Sequence, residues 1–179
     1  MRTSATSASA DQLLAFGRKH ATRLVTLVFT DMADSVALKQ HLGEHRGKDL
    51  FDRHHRSLRD CLRQFPAAHE INTAGDSFFL LFAVPSEAVG FALLLQARMR
   101  ALSNEVGQLI QDRIGIHLGE LIFPESDAGP IPDTMHSVQI DIASRVMEMA
   151  QGGQVLVTRP VFDNARQVLK DEDLEGVGA

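Results

Sequence analysis

"LVTLVFTDMADSV", residues 24–36, carries a run of apolar and β-branched side chains directly into Asp31, with Asp34 and Ser35 close behind. Such a run reads as a buried strand over residues 23–30. An aspartate is among the costliest residues to leave unpaired at the end of a core strand. The carboxylate therefore calls for a cation, a helix N-terminus or a metal ion. The residues that follow open a helix, and helix N-termini bind anions through free backbone amides.

Outward from this strand, "DSVALKQHLGEHRGKDLFDRHHRSLRDCLRQF" (34–65) has helical apolar spacing, with Gly43 and Gly47 expected as bends. "HEINTAGDSFFLLFAVP" (69–85) reads as two strands around a tight turn at Ala74-Gly75-Asp76. A long helix follows from Pro85, with proline and an acidic residue in its first turn. "DRIGIHLGELIF" (112–123) is expected to form another hairpin, "ESDAGPIPD" a loop, "HSVQIDIASRVMEMA" a helix, "GQVLVT" a strand and "RPVFDNARQVL" a final helix. The order βααββαββαβα predicts an α/β protein, an α+β sandwich with helices packed on a mostly antiparallel sheet. Residues 1–20 read as a flexible N-terminal segment in which "SADQLLAFGRKH" could coil into a short helix; residues 21–179 form one domain. The closing "LEGVGA" resembles a strand cut short, so the natural protein is expected to continue beyond residue 179.

A net charge of −5 argues against a nucleic-acid partner, because no basic patch meets phosphates. A phosphorylated ligand would have to bring a divalent cation. The one cysteine, Cys61, excludes an internal disulfide and reads as a buried apolar residue. No apolar stretch approaches the ~20 residues of a membrane span, and no signal peptide is visible. The expected setting is cytoplasmic.

Asp31 and Asp76 each sit where an apolar strand ends. Either alone is an ordinary turn residue, capping local amides. On adjacent strands the two carboxylates would lie side by side and repel by roughly several kcal/mol at an effective dielectric of ~20 unless a cation separated them. Mg²⁺ or Mn²⁺ suits such oxygen ligands, and each fills its shell with substrate phosphate.

Four segments, "LVFTDMADS", "EINTAGDSFFLLF", "DRIGIHLGEL" and "VQIDIASRV", occur in an order and at a spacing that resemble the class III adenylate/guanylate cyclases over roughly residues 23–168. The resemblance implies a ferredoxin-like palm that forms a homodimer, with each active site built from both subunits. It implies that Asp31 and Asp76 hold two divalent ions, Mg²⁺ or Mn²⁺, which activate the ribose 3′-hydroxyl and neutralise the triphosphate. Arg145 corresponds to the arginine that steadies phosphate in the transition state. Asn72 and Thr134 correspond to the base-reading positions, Asp141 to an asparagine that orients the ribose, and Ala33, Asp34 and Ser35 to the phosphate-binding turn. The implied reaction converts a nucleoside triphosphate, ATP favoured over GTP, to the 3′,5′-cyclic nucleotide and pyrophosphate in intracellular signalling.

Two positions depart from that pattern. Adenylate cyclases normally carry lysine and guanylate cyclases glutamate where this chain has Asn72, whose amide can donate or accept. Asp141 adds a carboxylate near the triphosphate and, one helical turn before Arg145, is expected to form an ion pair that draws the arginine away. These departures keep open a degenerate cyclase homology domain, a non-catalytic module that binds nucleotide or dimerises. "AGDSFFLLF" also faintly echoes the hairpin of GGDEF-type diguanylate cyclases, but Ser77 replaces their acidic residue and "VQIDIASRV" has no counterpart there. His41 and His45 lack the pattern of a zinc site. His54 and His55 are expected to point to different sides of their helix, His117 to be structural, and Phe78, Phe79 and Phe82 to serve core and subunit surface.

Overall fold

The computed structural model describes residues 22–122 and 137–169. Strand β1 (Thr22–Met32) is followed by helices α1 (Ser35–Leu42) and α2 (Glu44–Leu62), then strands β2 (His69–Ala74) and β3 (Ser77–Phe82). Helix α3 (Pro85–Val106), strand β4 (Asp112–Ile122), helix α4 (Val138–Glu148), strand β5 (Val155–Val157) and helix α5 (Arg159–Ala165) complete the described order. The strands form one sheet in the order β2-β3-β1-β4-β5, antiparallel except for the β4–β5 pair. This is the expected α+β architecture.

Alternation along the strands sorts side chains onto two faces. On the back face Val28, Met32, Phe78, Leu80, Phe82, Ile114 and Ile116 pack against Leu58 of α2, Phe91 and Leu95 of α3 and Val161 of α5. On the front face Leu27, Phe79, Leu81 and Leu121 meet Ala143 of α4, with Phe29 stacked on Phe79 at 4.6 Å between ring centroids. The phenylalanines divide accordingly, Phe78 and Phe82 to the back and Phe79 to the front.

Three local expectations change. Residues 112–122 form a single eleven-residue strand, not a hairpin. Gly115 and Gly119 lie within this strand, and neither has a positive φ. They are there for close approach: a Cβ on Gly115 would lie 2.2 Å from the Met147 backbone nitrogen, and one on Gly119 would lie 2.6 Å from Gln139 Oε1. Glycine at these front-face positions lets α4 settle directly on the sheet. Gly43, with φ 76, does break the helical segment into α1 and α2. Gly47 does not bend it; it is buried within α2 against Lys39. Finally, β1 runs past residue 30, so Asp31 lies within the last paired residues of the strand and faces Arg113 directly across β4.

The β2–β3 turn matches its sequence signal. Gly75 takes φ 63, which a residue with a Cβ rarely adopts, and delivers Asp76 to the start of β3. The segments 1–20, 125–133 and 174–179, for which a flexible segment with a short helix, a loop and a strand were expected, lie outside the described residues. No described helix is long and apolar enough to cross a membrane.

Candidate functional site

Asp31 and Asp76 come together at one end of the sheet. Asp31 shares the front face with Leu27 and Phe29, and Asp76 arrives from the turn that precedes β3, the neighbour of β1. The Ser77 hydroxyl donates to Asp31 Oδ1 at 2.6 Å. Arg113 donates to Asp31 Oδ2 through Nε at 3.0 Å and Nη2 at 2.5 Å. Burial pushes the Asp31 pKa up, but the hydrogen bonds from Ser77 and Arg113 and the Arg113 charge outweigh it and hold the carboxyl below its ordinary value. Asp76 immediately precedes Ser77, whose hydroxyl bonds Asp31, so the two acids lie at the same end of the sheet. Asp31 is only 14% exposed, whereas the Arg113 side chain is 36% exposed and accessible from the front.

The pair fits a hard divalent cation. Asp76 Oδ2 is buried with no hydrogen-bond partner, a carboxylate oxygen free to act as a ligand. Among the described residues no group of three His, Cys, Asp or Glu side chains could hold a metal. Mg²⁺ and Mn²⁺ do not need one, because they accept one or two carboxylates and complete their shell with water and phosphate oxygens. His41 and His45 are exposed and form no such cluster.

Behind the acids, on the back face, lies a network that sequence reading did not anticipate. The fully buried Asp112 accepts from Thr30 Oγ1 at 2.9 Å and from His54 Nε2 at 2.8 Å. His54 and His55 diverge along α2 but both stay near the sheet. Their ring centroids are 5.8 Å apart, and both rings approach Phe78. Successive helical residues diverge by only about 100°, so a broad contact with the sheet takes in both.

Residues 18–176 match the model of the adenylate and guanylate cyclase catalytic domain. The chain belongs to that family. A receptor-type adenylate cyclase of Trypanosoma brucei brucei is 26% identical over 80% of this chain, a match that spans 14% of that protein's length. The adenylyl cyclase CyaB of P. aeruginosa superposes with a TM-score of 0.73 at 16% identity, covering 83% of each chain. A Trypanosoma brucei adenylate cyclase solved in its monomeric state superposes at 0.67 with 26% identity, covering 87% of this domain and 80% of that chain.

The other residues singled out from the cyclase resemblance are placed as follows. Asn72 is exposed on β2, beside a bulge and opposite Phe79, which puts it on the same front face as Asp31. Thr134 lies outside the described residues. Asp34 caps α1 through its backbone in a left-handed conformation, φ 55, with no side-chain cap bond. The first turn of α1 leaves the amides of Ser35, Val36 and Ala37 without acceptors within the helix. Ala33 does not belong with them, because its amide donates to the Gln111 carbonyl at 2.9 Å and is already used.

Arg145 and Asp141 are both exposed on α4. The expected ion pair between them is not formed, since no described hydrogen bond or salt bridge joins them. One turn of helix places two side chains on the same side, but water competes for both at an exposed site, and such pairs contribute little. Within one chain no described bond brings Arg145 to Asp31 or Asp76. The α4 helix is held down by His117, which links Gln139 Oε1 at 2.7 Å and Thr158 Oγ1 at 3.1 Å, so its expected structural role is a tie between β4 and α4. Cys61 is buried, and burial pushes its thiol up to about 11, far from reactivity.

Sequence reading missed Arg113, His54 and Asp112. Asp112 and Arg113 stood in a quoted segment, but only the β1–β4 register shows what they face. The state of His54 has a consequence for stability. Burial pulls its pKa down, and the charge of Asp112, aided by Asp76 and Asp31, more than reverses this, so it lies above the ordinary 6.5. A raised imidazole pKa stabilises the fold fully below the ordinary value, and that contribution is lost as pH rises through the folded value. The melting-temperature gap between the wild type and His54→Gln is therefore expected to be widest below pH 6.5 and to close on the alkaline side. A gap independent of pH would exclude a charged His54.

Proposed function

We propose that this domain is a nucleotide cyclase acting on ATP in preference to GTP, releasing the 3′,5′-cyclic nucleotide and pyrophosphate in cytoplasmic signalling. The observation that carries the reading is the adjacent pair Asp31 and Asp76, with a buried carboxylate oxygen left unpartnered, in a chain of the cyclase family.

Asp31 and Asp76 would hold two divalent ions, Mg²⁺ or Mn²⁺. Bound there, such ions would make the ribose 3′-hydroxyl a better nucleophile and offset triphosphate charge. The free amides of Ser35, Val36 and Ala37 offer donors to phosphate oxygens. Arg113 brings a guanidinium to the same end of the sheet, where its exposed edge can meet a phosphate while its fork orients Asp31. Asn72 and Thr134 would meet the base. Because no described bond joins Arg145 or Asp141 to the acids of their own chain, the reading supplies them from a second copy in a homodimer. The preference for ATP rests on the adenylate cyclase similar at 26% identity. The Asn72 amide can donate or accept, so it accommodates either purine.

The test is purified chain with Mn²⁺ and either ATP or GTP, followed by chromatography of the cyclic product across a range of protein concentrations. Turnover that climbs with the square of concentration, with ATP the better substrate, is the expected result. Saturable nucleotide binding without product would instead assign the non-catalytic regulatory role.

A further inference from the structure

Asp112 lies among none of the groups that would meet substrate, yet it is tied from several directions. Its carboxylate accepts from Thr30 of β1 and His54 of α2, and its backbone carbonyl accepts from Gln96 of α3 at 2.7 Å and from the Gly153 amide at 2.9 Å. A carboxylate and an imidazole with no exposure are a poor way to stabilise a core, since apolar residues of similar volume usually serve as well or better. What these bonds determine is position. Thr30 immediately precedes Asp31, Asp112 immediately precedes Arg113, and Asp31 and Arg113 are direct cross-strand partners. The back-face bond from Thr30 to Asp112 thus clamps the two strands right behind the front-face pair. His54 of α2 braces Asp112 from the helix side.

We propose that His54 and Asp112 are positioning residues that hold Asp31, together with Arg113, in the geometry that binds the divalent cation. This rests on the cyclase reading above. Neither residue touches metal or nucleotide; they act through Thr30 and the β1–β4 register. Hydrogen-bond partners of a metal's own ligands commonly alter its affinity by about 10- to 100-fold, and this network, which reaches Asp31 through the backbone, is expected to act at the lower end of that range.

The experiment measures free Mn²⁺ by electron paramagnetic resonance over the full chain with saturating 3′-deoxy-ATP, alongside kcat and KM for ATP. His54→Leu and Thr30→Val are expected to weaken Mn²⁺ binding about tenfold or more and to lower kcat with little change in KM. His54→Gln, which keeps an N–H near the Nε2 position, should recover most of the affinity. Leu58→Ala, in the same helix and core but outside the network, should lose stability and keep its Mn²⁺ affinity. Wild-type Mn²⁺ affinity in His54→Leu and Thr30→Val, beside an Asp76→Ala chain that has lost it, overturns this inference and leaves the cyclase reading standing. An equal loss in Leu58→Ala also overturns it, because fold stability alone would then explain the effect. A wild-type chain that binds no Mn²⁺ with nucleotide overturns both. Should His54→Leu fail to fold, Thr30→Val decides.

Discussion

Asp76→Asn is expected to cut cyclic-nucleotide formation by about a hundred- to a thousandfold, the loss typical of deleting one pre-organised charge-stabilising group. The fold should not suffer. Asp76 Oδ2 has no hydrogen-bond partner to lose, and the substitution removes a like charge beside Asp31. Melting temperature should therefore hold or rise, so activity and stability move in opposite directions. A second readout separates this from general damage. Mn²⁺ with nucleotide should raise the melting temperature of the wild type by mass action and leave that of the variant unchanged. Undiminished turnover in Asp76→Asn would remove the acid pair from the mechanism.

Gly115→Ala should be the most destabilising small substitution in the sheet. Its Cβ would meet the Met147 backbone at 2.2 Å from nitrogen and 2.6 Å from Cα, and a helix backbone cannot rotate aside as a side chain can. Overpacking of this kind costs about 3 kcal/mol or more, a fall on the order of 10 °C in melting temperature for a domain of this size. Helix α4 must lift or tilt to relieve the clash, and it carries Asp141 and Arg145. Turnover should fall with stability, and chemical rescue by lower temperature should be incomplete. Gly90→Ala in α3 is the control, because its nearest neighbour is Phe65 at 3.7 Å, an ordinary contact, and alanine suits a helix interior. If Gly115→Ala melts with the wild type, α4 does not rest on the sheet as described.

The acid pair was legible because its signals are local. An apolar run ending in Asp31 and a glycine turn ending in Asp76 declare strand ends within a few residues of themselves. Glycine also explains the failure over residues 112–122. In sequence it signals a turn, whereas Gly115 and Gly119 are extended and mark the footprint of a helix that arrives from the far side of residues 123–136. The Asp141–Arg145 pair failed for a different reason: helical spacing sets proximity, but at an exposed site hydration competes with the bond. His54 and Asp112 were invisible because |i−j| is 58 and no local pattern links them.

Short-range chemistry in the chain was enough to establish the other strands, the helices, the Gly75 turn and the two acids, since backbone preference and side-chain alternation act over a few neighbours. Tertiary packing decided what those acids face. The β1–β4 register sets Arg113 against Asp31 and Asp112 behind it, and a slip of one residue would turn every one of these side chains to the opposite face of the sheet.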